Sequence, residues 1–176
     1  LNNLTNEGFN RKDVEFLNVG DVMYDAALYY VNSAKKPAQL ALNKEFALAT
    51  FHRAENTDDK EKLKNIVVAL NKINEKLAVV CPIHPRTKKL LSQLNITPDF
   101  IMLEPVSYFE MLWLLSNATL VVTDSGGLQK EAFFFAKNCI TLREQTEWVE
   151  LINEGVNQLV GTDCQEIINK FNSLES

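Results

Sequence analysis

Val121-Val122-Thr123-Asp124-Ser125-Gly126-Gly127-Leu128-Gln129-Lys130-Glu131-Ala132 reads as a buried strand running through a Ser-Gly-Gly turn into a helix with a carboxylate in its second turn. Backbone N–H groups at a helix N-terminus lack intrahelical partners and carry partial positive charge, and paired glycines let an anion approach with no Cβ in the way. Ser125 adds a hydroxyl, and Glu131 can accept hydrogen bonds from two adjacent sugar hydroxyls. A diphosphate joined to a ribose suits such a turn. The same residues also describe an ordinary strand followed by a helix that Asp124 or Ser125 caps. On this stretch alone the plain cap has the edge. The loop is neither a Walker A sequence nor a GxGxxG fingerprint, which argues against ATPase and NAD-binding readings.

On either side of this stretch, apolar runs of strand length occur at 45–51, 77–83, 100–103, 120–123 and 139–142. Helical patterns separate them. One covers 20–30; another opens at Asp58 and Asp59 and places Leu63, Ile66, Val67, Leu70 and Ile73 on one stripe; others run from Pro85 through Leu94, over 107–117, over 125–137 and over 165–171. Strands that are apolar throughout, alternating with amphipathic helices, predict an α/β, Rossmann-like three-layer sandwich with a parallel sheet. Residues 1–18 are polar and weakly patterned and are read as a tail or linker, with 19–176 as the domain.

Open parallel sheets bind ligands at the carboxyl ends of their strands. His52-Arg53-Ala54-Glu55-Asn56, His84-Pro85-Arg86-Thr87, Glu104-Pro105, Ser125-Gly126-Gly127 and Arg143-Glu144-Gln145-Thr146-Glu147 each follow one predicted strand, so the polar clusters share an edge. The chain's two histidines are both there, as ligand-facing groups or as caps of the next helices. Arg53 and Arg86 have the forked geometry that suits phosphate or carboxylate, and equally that of surface arginines. No cluster has the spacing of a metal site, and no GxSxG elbow is present.

Composition narrows the class. The 176 residues carry 18 Lys and Arg against 23 Asp and Glu, a formal charge of −5, with the basic residues scattered, which argues against nucleic acid as a partner. Cys81, Cys139 and Cys164 are odd in number and far apart, as expected of free thiols in a reducing compartment. No apolar run nears the ~20 residues of a membrane span. The expectation is a soluble cytoplasmic protein without a membrane partner, and, since the chain starts at Leu1, a fragment of a longer one.

HRAEN (52–56), PIHPRT (82–87), LEPVSYFEML (103–112), VTDSGGLQKEA (122–132), TLREQTEWVE (141–150) and GVNQLVG (155–161) occur in order. Together with NVGDVMYDAALYY (18–30), they resemble the C-terminal half of a non-hydrolysing UDP-N-acetylglucosamine 2-epimerase, a family with the two-domain glycosyltransferase-B fold. The resemblance implies that Ser125, Gly126 and Gly127 hold the UDP diphosphate, that Glu131 binds the ribose, and that the segment around Val106 and Met111 lines the uracil pocket. It implies a catalytic role for His52, stabilising the UDP that leaves. Arg53 and His84 match positions that, in some bacterial members, contact a second, allosteric UDP-sugar.

The implied reaction inverts C2 of the sugar: UDP is eliminated to leave a 2-acetamidoglucal, C2 is protonated on the other face, and UDP adds back. The C2 proton is not acidic, so leaving-group stabilisation and a placed base must act together. No metal or nicotinamide is required. The family's acid and base carboxylates lie in the N-terminal domain, and the helix that returns to it also lies outside the sequence, so the isolated half is expected to bind UDP weakly without turnover. The full-length enzyme is expected to be a homodimer acting on a UDP-N-acetylglucosamine-type sugar for surface polysaccharide. Trp148 departs from the arginine of some members. Two other readings accompany this one: the donor-binding half of a glycosyltransferase, and a non-catalytic UDP-sugar-binding module.

Overall fold

A computed structural model describes residues 2–11 and 13–174. In chain order the elements are α1 (Asn2–Asn6), α2 (Val22–Tyr30), β1 (Phe46–Thr50), α3 (Ala54–Thr57), α4 (Lys60–Asn74), β2 (Ala78–Pro82), α5 (Pro85–Gln93), β3 (Ile101–Leu103), α6 (Tyr108–Asn117), β4 (Leu120–Thr123), α7 (Gly126–Phe134), β5 (Asn138–Thr141), α8 (Val149–Asn153), β6 (Asn157–Leu159) and α9 (Cys164–Leu174). The six strands form one sheet, ordered β3-β2-β1-β4-β5-β6 and parallel at every pairing. This is the Rossmann strand order. β1 and β4 are neighbours at the centre, so the chain leaves them toward opposite halves of the sheet and a crevice opens between their loops.

Side chains alternate across the sheet into two cores. Ala47, Ala49, Val79, Cys81, Val122 and Ile140 pack with Leu63, Ile66, Leu70 and Ile73 of α4 and with Ile167 and Phe171 of α9. Phe46, Leu48, Val80, Val121 and Cys139 face Leu114 and Leu115 of α6 and Leu128 and Ala132 of α7. Burial lifts the Cys139 thiol to about 12 and takes the Cys81 thiol well above its ordinary range. Both sulfurs are sealed from solvent within the core.

Local chemistry sets the helix starts. Asp59 accepts from the N–H groups of Glu61 and Lys62 to open α4, and Ser107 and Glu110 form a reciprocal capping box at α6. Within the stretch read as the domain, α3, α8 and β6 have no counterpart among the expected elements. β6 carries Asn157-Gln158-Leu159, with Asn157 buried, so neither a continuous apolar run nor a polar-out alternation marks it. α7 stops at Phe134, short of the expected 137. Ala136 has φ 51° and the Lys137 N–H donates to the Ala132 carbonyl, a Schellman stop with alanine where glycine is usual. Within the stretch read as a linker, α1 and a 3-10 turn at Phe9–Arg11 form, and none of the residues at 4–11 and 13–20 is buried. Among the described residues, no helix is long and apolar enough to cross a membrane.

Candidate functional site

The carboxylate of Asp124, the first residue after β4, is fully buried and serves neither as cap nor as a charge facing solvent. It accepts the backbone N–H of His52 (3.0 and 3.2 Å to its two oxygens), the backbone N–H of Arg53 (2.9 Å) and the side-chain amide of Asn56 (3.1 Å). Asn56 also donates to the Leu142 carbonyl at 3.0 Å. One carboxylate thereby binds the loop after β1 to the loop after β4, with the loop after β5 attached through Asn56. Beneath it, the hydroxyls of Thr50 and Thr123 lie 2.6 Å apart, and the Ser125 N–H donates to the Thr123 hydroxyl at 2.9 Å.

Ser125 is the N-cap of α7, its hydroxyl accepting from the Leu128 N–H at 3.4 Å. The cap and the anion cradle are therefore compatible, because the N–H groups of Gly126 and Gly127, the helix's first two residues, have no intrahelical acceptor. A Cβ at Gly126 would meet the Glu147 carboxylate, which would have to swing aside to admit it.

A cleft of about 400 Å³ opens over this turn. Ser125, Gly127 and Glu131 line one wall, His52 and His84 stand at the ends of β1 and β2, and Phe51, Ile83, Pro105, Val106 and Met111 give an apolar floor. Of the residues singled out in the sequence, Ser125, Gly127, Glu131, Val106, Met111, His52 and His84 thus face one space. Gly126 and Arg53 border it without lining it. Arg86 turns away to pair with Asp58.

The two histidines differ. The imidazole of His52 is half exposed, and its Nδ1 lies 3.5 Å from an Asp124 oxygen. His84 caps α5, its Nδ1 accepting the Arg86 N–H at 3.2 Å, so a neutral ring carries its proton on Nε2. Glu131 is partly buried, which pushes its pKa up; the Tyr108 hydroxyl, donating at 3.3 Å, offsets part of that rise. Tyr108 went unnoticed in the sequence, where it reads as one more aromatic at the start of a helix.

Behind the turn, Arg53 stands 3.9 Å from Glu55 and 4.0 Å from Glu147, while Arg143 stands 3.8 Å from Glu55 and 2.7 Å from Glu147. The four charges close a ring. Trp148, next in sequence, donates its indole N–H to the Gly126 carbonyl at 2.8 Å. Among the described residues no group of three or more His, Cys, Asp or Glu is gathered as metal ligands would be.

A family model described as UDP-N-acetylglucosamine 2-epimerase matches residues 1–176. The chain belongs to that family. A UDP-2,3-diacetamido-2,3-dideoxy-D-glucuronate 2-epimerase from Pseudomonas aeruginosa is 54% identical over 169 residues, covering 96% of this chain and 48% of the relative. A UDP-N-acetylglucosamine 2-epimerase from Methanocaldococcus jannaschii is 40% identical, covering 95% and 49%. The crystal structure of the M. jannaschii enzyme with UDP-GlcNAc and UDP superposes with a TM-score of 0.86 at 38% identity, covering 98% of this chain and 51% of that one. The chain spans about half the length of the relatives it matches, and it is the C-terminal half that this UDP-N-acetylglucosamine 2-epimerase family domain corresponds to. The C-terminal domain of a glycosyltransferase from Francisella tularensis shares the fold, with a TM-score of 0.52 at 16% identity.

Proposed function

We propose that this chain is the UDP-binding half of a UDP-sugar 2-epimerase. The observation that carries the reading is the start of α7, where unpartnered glycine N–H groups, the Glu131 carboxylate and the half-exposed ring of His52 border a single cleft at the divergence of β1 and β4. Ser125, Gly126 and Gly127 hold the diphosphate through backbone N–H groups and the serine hydroxyl. Glu131 accepts the two ribose hydroxyls, with Tyr108 steadying its other oxygen, and the uracil lies against Val106 and Met111. His52, oriented by Asp124, sits by the phosphates and stabilises charge as UDP leaves. The proton chemistry at C2 belongs to carboxylates of the other half of the enzyme, and Arg53 and His84 face the second UDP-sugar where such activation occurs. The full-length protein acts as a homodimer in the cytoplasm.

For the sugar, UDP-N-acetylglucosamine, converted to UDP-N-acetylmannosamine, is the first reading. The 54% identity to a diacetamidoglucuronate epimerase favours a second, in which the hexose carries a C3 acetamido group and a C6 carboxylate. Assaying the full-length protein with each sugar separates the two. The site itself is tested by titrating UDP into wild type and Glu131→Ala while following thermal stability. Wild type alone should be stabilised, and equal stabilisation of both would remove the ribose assignment. Any epimerisation by these 176 residues alone would overturn the expectation that the half binds without turning over.

A further inference from the structure

Gly126 and Gly127 open α7, so the helix sets the direction of their N–H groups, but as glycines they hold that geometry with the least restriction of any residue. An anion site gains most from donors already aimed before the ligand arrives. A bond from outside the turn can therefore reinforce the aim that the helix gives. The carbonyl of Gly126 and the N–H of Gly127 belong to one peptide plane and point in opposite directions. Gly127 lines the cleft, whereas the Gly126 oxygen points away and receives the indole N–H of Trp148 at 2.8 Å.

Trp148 is itself held at several points. Its backbone N–H donates to the Thr146 hydroxyl at 3.2 Å, and that hydroxyl donates at 2.8 Å to the Oε1 of Gln129, a fully buried residue of α7. On the outer face of the ring, the Lys130 ammonium sits 4.3 Å from the centroid and is also paired with Asp21, the cap of α2. The loop after β5 thus grips the first turn of α7 through Gly126 and through Gln129. We propose that Trp148 is a positioning residue: by holding the Gly126 oxygen it steadies the Gly127 N–H in the direction of the diphosphate without touching the ligand. The same bond polarises the shared peptide and makes that N–H a stronger donor.

This rests on the reading that the turn holds the diphosphate of UDP, and the experiment keeps the two apart. Trp148→Phe retains a ring under Lys130 and removes only the donor. Calorimetry on the 176-residue chain should show UDP affinity falling by about tenfold, with uridine affinity changed less than about twofold, since uridine has no phosphate to miss the N–H. On wild type, the Gly127 amide and Trp148 indole resonances should both move on UDP addition, and neither on uridine addition. Unchanged UDP affinity in the variant, an equal loss for UDP and uridine, or an indole resonance indifferent to UDP would each overturn the role of Trp148. Failure of wild type to bind UDP at all would instead overturn the site.

Discussion

His52 and His84 stand at matching places in neighbouring loops, each two residues beyond its strand and each lining the cleft, yet their rings are used differently. His84 gives its Nδ1 to the first turn of α5, so the ring is part of the scaffold. His52 leaves capping to others. Its backbone N–H is taken by Asp124, and its Nδ1 faces that carboxylate. Equal placement along a strand therefore does not assign equal chemistry; the partners of the ring nitrogens do.

The largest effect is expected from Asp124→Ala, which strips an acceptor from two backbone N–H groups and the Asn56 amide inside the protein. A loss of at least about 3 kcal/mol in chemical denaturation is expected, with UDP binding lost as well. Next come the histidines themselves, assayed in the full-length protein for the proposed epimerisation. His52→Ala should lower kcat by about a hundredfold or more at little cost in stability, whereas His84→Ala should cost about 1 kcal/mol of stability through the lost cap and change kcat far less. A reversed pattern would mean that the cap, not the Asp124-held ring, is the working histidine.

Glu131 sharpens the contrast, because its cost is pH-dependent. Burial raises its folded pKa above the unfolded value, so the folded state binds the proton more tightly. Its contribution to stability is present below the unfolded pKa and is lost as pH rises through the folded pKa. Glu131→Gln should accordingly melt higher than wild type at neutral pH, with the difference closing in acid, while UDP stabilises it less. The smallest effect serves as a control away from both loops. Ala136→Gly relieves a left-handed residue at the end of α7 and should add about 1 kcal/mol with UDP affinity unaltered.

Strands β1 to β5 and the edge where the cleft opens were legible in the sequence because apolar runs and helical stripes report burial directly, and because the rule about strand ends depends only on chain direction. Asp124 was not legible as a hub. Its donors come from residues some 70 positions away, and from the sequence alone an aspartate before Ser-Gly-Gly is a cap. The end of α7 escaped for a local reason: alanine hides a left-handed stop that glycine would have announced. Likewise, nothing in the sequence marks Trp148 as reaching Gly126, since the contact depends on how the loop after β5 folds back.

The ring of Arg53, Glu147, Arg143 and Glu55 sums to no net charge beside the turn proposed to take the diphosphate. Attraction at the turn then falls to backbone dipoles, whose reach is a few ångströms, and not to a long-range field. A nucleotide would be drawn in weakly at a distance and held only on contact, so its affinity should hardly change between low and moderate ionic strength, where side-chain-driven binding would fall.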